Sequence, residues 1–180
     1  MDLIYQNFDK LQVTFQGAFP EHILEQLEEA KLRAQEQNEP ALVELGDHEI
    51  AAHVQQNGSQ PHFTYIFDTG PDQQIWMVSK SGKSNGWNIF VSVHSMGLAL
   101  HGLEEAKQQI FALLDAFEVQ GPEFKDSETG EFYRHIQESI NRIDYCFDFR
   151  TKRFMPLLER FIAHKQAKRQ VHGEYSANTN

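Results

Sequence analysis

From residue 41 to residue 93 apolar side chains recur in short runs with a period of two, and from about Ser95 the period lengthens to that of a helix. Few architectures accommodate that switch: a period of two needs a sheet with one buried face, and a helix that follows must find an apolar layer to pack on. Strands are expected over 41–45, 49–54, 63–67, 74–78 and 87–93, with turn chemistry at Gly46-Asp47-His48, Asn57-Gly58-Ser59-Gln60-Pro61, Asp68-Thr69-Gly70-Pro71-Asp72 and Ser81-Gly82-Lys83-Ser84-Asn85-Gly86. Connections this short join antiparallel neighbours. After Ser95, Leu98, Leu100, Leu103, Ala106, Ile110, Leu113, Leu114 and Phe117 form one apolar helix face, interrupted only by Gly102.

The flanks extend the pattern. Residues 11–15 alternate as a half-buried strand does, and 21–37 bring Ile23, Leu24, Leu27, Ala30, Leu32 and Ala34 to one side of a helix that Asn38 and Pro40 end. Beyond a loop rich in Gly, Pro, Asp and Ser over 121–130, a short helix is expected over 132–140 and a strand over 142–149. A final helix over 155–168 would bury Leu157, Leu158, Phe161 and Ile162. The order β, α, several β, α, β, α defines the α+β class: a single domain over 1–172, with a largely antiparallel sheet of short strands and two or three packed helices. A polar tail over 173–180 is expected to fray.

Composition sets limits on function. A chain of 180 residues buries enough surface to fold without metal or disulfide staples, and the lone Cys146 has no internal partner, which suits a reducing cytoplasm. No apolar run approaches the roughly 18 residues of a membrane span, and Met1-Asp2-Leu3-Ile4 lacks the basic and apolar regions of a signal peptide. The expectation is a cytoplasmic protein with no membrane partner. With 16 Lys and Arg against 26 Asp and Glu the net charge is −10, which evenly spread would discourage phosphate contacts. It is not evenly spread: residues 142–172 hold eight bases against three acids, a net +5, and the rest holds eight against 23, a net −15. A basic end on an acidic body suits a local polyanion contact or a docking end, and equally a solvated basic helix.

That basic end contains the most distinctive stretch, Arg142-Ile143-Asp144-Tyr145-Cys146-Phe147-Asp148-Phe149. On a strand, Ile143, Tyr145, Phe147 and Phe149 share one face, expected to be core, and Asp144, Cys146 and Asp148 share the other. Carboxylates are uncommon on strands, so the two aspartates are either metal-site candidates or partners of Arg142, Arg150 or Lys152. Four residues separate their Cα atoms by roughly 13 Å, too far to share one ion on a regular strand.

The same stretch resembles the R-[IVL]-D-x-x-x-D-[FD] strand of trans-acting rolling-circle replication initiation factors of plasmids and phages. In that family the strand belongs to the sheet that carries a metal site, and a tyrosine attacks a DNA phosphodiester. The resemblance implies a divalent metal, Mg or Mn, with Asp144 as the first acidic metal-site candidate and Asp148 as the second, and an active form would be a metal-dependent tyrosine DNA nickase. It covers eight residues. The family's downstream "Y-D-K" and "R-x-E" segments are not found here, and of Tyr5, Tyr65, Tyr133, Tyr145 and Tyr175 only Tyr133 falls on an expected exposed helix. The expectation is therefore a DNA-binding relative of the amino-terminal part of such factors, without complete nicking activity. Its contacts with single-stranded or origin DNA would come from Arg153, Arg160, Lys165, Lys168 and Arg169.

Other motifs are weaker. The nine histidines show no His-x3-His spacing, and Ser81-Gly82-Lys83-Ser84 lacks the earlier glycine of a phosphate loop and joins two strands. Trp76, Trp87, Phe63, Phe67 and Phe90 could stack bases, but aromatic side chains at alternate strand positions are more often core. An alternative function of another class fits the charge equally: a non-enzymatic acidic, phage-type interaction protein whose body mimics a polyanion and occupies a basic nucleic-acid-binding protein.

Overall fold

The computed structural model describes residues 2–59, 62–70 and 74–150. The class is α+β, as the periodicity requires. Along the chain run β1 (Asp2–Gln16), α1 (Glu21–Gln37), β2 (Ala41–Leu45), β3 (Ile50–Val54), β4 (Tyr65–Asp68), β5 (Gln74–Val78), β6 (Trp87–His94), α2 (Ser95–Ala116), β7 (Glu123–Lys125), β8 (Phe132–Arg134) and β9 (Gln137–Arg150). Seven strands form one antiparallel sheet in the order β2-β3-β4-β5-β6-β1-β9, and β7 pairs with β8 separately.

The meander owes its register to the alternation. Ala41, Val54, Phe67, Trp76, Val91 and Val13 stand in consecutive cross-strand positions and form one buried row across the sheet. Trp76 and Phe67 stack with centroids 6.0 Å apart, and Phe117, just past α2, meets both rings edge-on at 5.7 and 5.9 Å. Helix α1 adds Ile23, Leu27, Ala30 and Ala34 to the same core, and α2 adds Leu98, Ala106, Ile110 and Leu114. Tyr65 is buried too, and its hydroxyl donates to Glu28 Oε2 on α1 at 2.5 Å. The aromatic residues weighed as a base-stacking platform are thus divided: Trp76 and Phe67 are core, Trp87 is exposed, and Phe63 packs on Phe90 of β6.

Beyond Leu32, which was expected on the apolar side of α1 and is 51% exposed because it lies two residues, about 200°, round the helix from Ala30, four expectations need correction. Residues 132–140 are not a helix: Phe132–Arg134 folds back on Glu123–Lys125, inside the expected loop, and 137–140 joins β9 against Val13–Gln16. For 137–140 a sheet partner far along the chain outweighs local propensity, and for 132–134 a short hairpin does. Tyr133 is accordingly exposed on a strand. The strand expected over 11–15 begins at Asp2, because β9 continues to pair with it. Leu100, expected on the buried face of α2, is 60% exposed, since Gly102 (φ 76°, ψ 172°) interrupts the helix and turns its first two turns differently. The fourth concerns β9 itself and shapes the candidate site. The final helix over 155–168 and the tail over 173–180 lie outside the described residues.

Candidate functional site

Strand β6 ends at His94, opposite Lys10. From there outward β1 has one partner, β9, and the ladder continues from Lys10–Asp144 to Asp2–Arg150. The eight residues 2–9 and their partners therefore form a two-stranded arm, about 25 Å long at roughly 3.3 Å per residue. At its root the Asn7 side chain donates to the Leu98 carbonyl of α2 at 3.4 Å, and Phe8 packs partly against the core.

Two extra residues set the arm's chemistry. Bulges at Ile4 and Asp9 shift β1 against β9, so that Leu11, Phe8, Gln6 and Leu3 stand opposite Ile143, Tyr145, Phe147 and Phe149. Phe8 and Tyr145 meet edge-on at 5.0 Å, Tyr145 and Phe147 lie 5.0 Å apart, and Phe147 stacks on Phe149 at 6.5 Å. This face continues the buried face of the sheet past the point where helices cover it. Ile143, Tyr145, Phe147 and Phe149 were expected to be core, and they are exposed instead, Phe147 to 56%. No second layer reaches them among the described residues. With Leu3, Ile4, Tyr5 and Ile140, eight large apolar side chains are exposed on or beside one arm, Tyr5 on the face it shares with Asp148; grouped exposure of this kind marks interaction surfaces. Among the described residues β9 also pairs with β1 alone, so its outer edge is open.

The other face of the arm carries the aspartates. Arg142 donates from Nε to Asp144 Oδ1 at 2.8 Å, and its Nη2 lies 2.5 Å from Oδ2. This two-point grip holds the Asp144 carboxyl below the usual carboxylate range and raises the guanidinium correspondingly. Asp148 stands opposite Tyr5, two pairs further out than Cys146. A divalent ion needs several oxygen ligands converging on a point. Among the described residues no three His, Cys, Asp or Glu side chains converge, and Asp144 is already engaged by a guanidinium, so the arm as described fits such an ion poorly. His53 pairs with Asp68 at 3.4 Å and His101 with Glu105 at 3.5 Å, consistent with dispersed histidines. The segment 81–84 joins β5 to β6 as a turn, held by the Asn88 side chain, which donates to Gly17 and Lys83 carbonyls. Arg153, Arg160, Lys165, Lys168 and Arg169 lie outside the described residues.

A second surface lies on α1. Glu21, Glu25 and Glu28, one helical turn apart, line an open cleft of about 640 Å³ with Phe19, Leu24 and Lys80. The Tyr65 hydroxyl, and then Lys80 at 3.2 Å, hold the Glu28 carboxyl below its ordinary value. Burial and this bond push the Tyr65 phenol up. The cleft is strongly acidic, as the charge of the body leads one to expect. The sequence shows α1 and the Arg142–Asp144 neighbourhood but not the arm, whose signal was the apolar cluster Leu3, Ile4, Tyr5 and Phe8 at no fixed period.

No protein-family model, curated protein or solved structure matches this chain. Among the described residues no helix is long and apolar enough to cross a membrane.

Proposed function

We propose that this chain is a non-enzymatic interaction protein that docks protein through the two-stranded arm. The observation that supports this reading is the arm itself: a strand edge that is open among the described residues, bordered by eight exposed large apolar side chains. Strand edges of this kind recruit another strand, with backbone hydrogen bonds supplying affinity and alternate side chains supplying specificity. Away from the arm, the acidic body and the Glu21/Glu25/Glu28 cleft favour basic partners, a class that includes nucleic-acid-binding proteins. A reducing cytoplasm suits the single thiol, Cys146.

A photo-reactive phenylalanine analogue at Phe147, irradiated in extracts of producing cells, tests the reading. Protease-sensitive adducts at 147, absent when the analogue replaces the equally exposed Leu42 on β2, are expected. Nuclease-sensitive adducts, or none, would overturn it.

A second reading keeps the resemblance to rolling-circle initiators: DNA binding through the basic end. What favours it is the net +5 over residues 142–172, eight bases against three acids. Its test is binding of labelled single-stranded DNA that weakens steeply with salt and is lost on joint Lys165→Ala, Lys168→Ala and Arg169→Ala substitution. A divalent ion, Mg²⁺ or Mn²⁺, with Asp144 as the first candidate ligand and Asp148 as the second, belongs to this reading. Mn²⁺-induced relaxation of the β9 amide signals, abolished by Asp144→Asn, would support it.

A further inference from the structure

We propose that the outer edge of β9 pairs antiparallel with the same edge of a second copy of this chain, centred on Tyr145. The proposal rests on reading the arm as a protein-docking element, and it names the occupant. A two-fold axis normal to the sheet makes the interface self-complementary, so every contact occurs twice. It also keeps each arm face on one side of the joined sheet. Opposed residues in antiparallel strands point to the same side, so only registers that pair residues of like face are allowed.

Charge then selects among them. Centred on Cys146, the pairing sets Arg142 against Arg150 and Asp144 against Asp148, like charges in both cases. Centred on Asp144, it brings two carboxylates together at the axis. Centred on Tyr145, it sets Arg142 of each copy against Asp148 of the other, Ile143 against Phe147, and Tyr145 against itself. Asp144, held at 2.5 Å by its own Arg142, then faces the neutral Cys146. Every charged residue from 142 to 148 thus finds an opposite charge or a neutral neighbour, and the apolar face becomes a continuous cross-strand row. A Phe147-centred pairing is also free of like charges, since it sets Asp144 against Arg150. It spends Arg150 on an Asp144 that Arg142 already holds, whereas the Tyr145-centred one gives an opposite charge to Asp148, which has no ion pair among the described residues. The regular run of β9 from Arg142 to Arg150, with both outer bulges placed on β1, leaves a straight edge for the purpose.

The full-length protein, purified alone, provides the test. Light scattering during size-exclusion chromatography is expected to give twice the 20.8 kDa chain mass, falling towards the monomer on dilution. Asp148→Arg should weaken the dimer by about tenfold or more, because two attractive pairs become repulsive, and adding Arg142→Asp should restore most of the loss. In a Cys146→Ser background, Tyr145→Cys should form an intermolecular disulfide under mild oxidation, since directly opposed Cα atoms lie roughly 4.5–5.5 Å apart. Phe147→Cys in the same background should not. A monomer at every concentration, a dimer indifferent to Asp148→Arg, or a disulfide at 147 rather than 145 would each overturn the proposal. A monomeric protein that still yields adducts to another protein from Phe147 would refute self-pairing while leaving the docking function intact.

Discussion

Strand β1 is two strands in physical terms, and its halves differ in surroundings more than in composition. In the inner half Leu11 and Val13 are fully buried, between β6 on one side and β9 on the other and beneath α2. In the outer half Leu3 and Ile4 are 47% and 58% exposed, with β9 as the sole neighbour among the described residues. Both halves hold large apolar side chains. What changes at Lys10 is that β6 stops and, among the described residues, the helical layer ends. An apolar strand is therefore core only where a second layer meets it, and outside that cover the same chemistry is a contact surface.

The sharpest way to break this comparison is to remove a side chain under the cover. Trp76→Ala should destabilise the fold by about 3–5 kcal/mol in urea or guanidinium unfolding, because it empties the centre of the Phe67–Trp76–Phe117 cluster. A loss near 1 kcal/mol would mean that this row is not the core. The next effect concerns where the cover ends. Gly102 turns the chain between the first part of α2, which carries Leu98 over the arm's root, and the second, which carries Ile110 and Leu114. Its φ of 76° and ψ of 172° fall in a region that side chains strongly disfavour. No heavy atom waits within 4 Å of an added Cβ, so the cost is conformational alone. Gly102→Ala should cost about 1–3 kcal/mol, and proton exchange should rise first at the arm's root, around Asn7 and Phe8.

A smaller effect depends on pH. The Tyr65 hydroxyl is the main reason the Glu28 carboxyl ionises below its ordinary value, and an acid with a lowered folded pKa contributes stability that is complete above its unfolded value. That stability is lost as pH falls through the folded value. Tyr65→Phe should cost up to about 1 kcal/mol at neutral pH, kept small because Glu28 is partly open to solvent. The gap to wild type should narrow as pH drops below the ordinary carboxylate value of 4.5. Urea melts of both proteins at pH 7 and pH 3 check it, and a gap that widens in acid would contradict the assignment.

How much of this was legible follows from the same contrast. Helix α1 could be read with its bounds, since Pro20, the Ile23/Leu27/Ala30/Ala34 stripe and Asn38 in the left-handed conformation are local signals. The alternation from Tyr65 to Val93 likewise placed Phe67, Trp76 and Val91 in the core. Strand β9 could be read as a strand, but its setting could not: Ile143, Tyr145, Phe147 and Phe149 have the pattern of a half-buried strand whether or not anything covers them. In β1 the bulges at Ile4 and Asp9 break the alternation from Leu3 to Phe8, so the outer half showed no period to read. Residues 132–140 failed for two reasons: 137–140 pair with Val13–Gln16, distant in sequence, and 132–134 close a short hairpin on Glu123–Lys125, inside what composition marks as a loop. Of the candidate site, the Arg142–Asp144 pairing was among the readings the sequence left open, and the structure selects it.

The smallest effect on the isolated fold is expected at the arm, and there the comparison is tested most directly. Phe147 is 56% exposed, so Phe147→Ser removes little that folding alone had buried. In dilute protein its unfolding free energy should differ from wild type by about 0.5 kcal/mol or less, against several for Trp76→Ala. A loss as large as that of Trp76→Ala would show that the arm is covered within its own chain. The two arms of the experiment separate again as protein concentration rises. Association stabilises only the form that associates, so the wild-type midpoint should climb with concentration while that of Phe147→Ser stays nearly fixed. A residue that contributes almost nothing to its own monomer and measurably to the assembled protein is what an uncovered continuation of the core should contain.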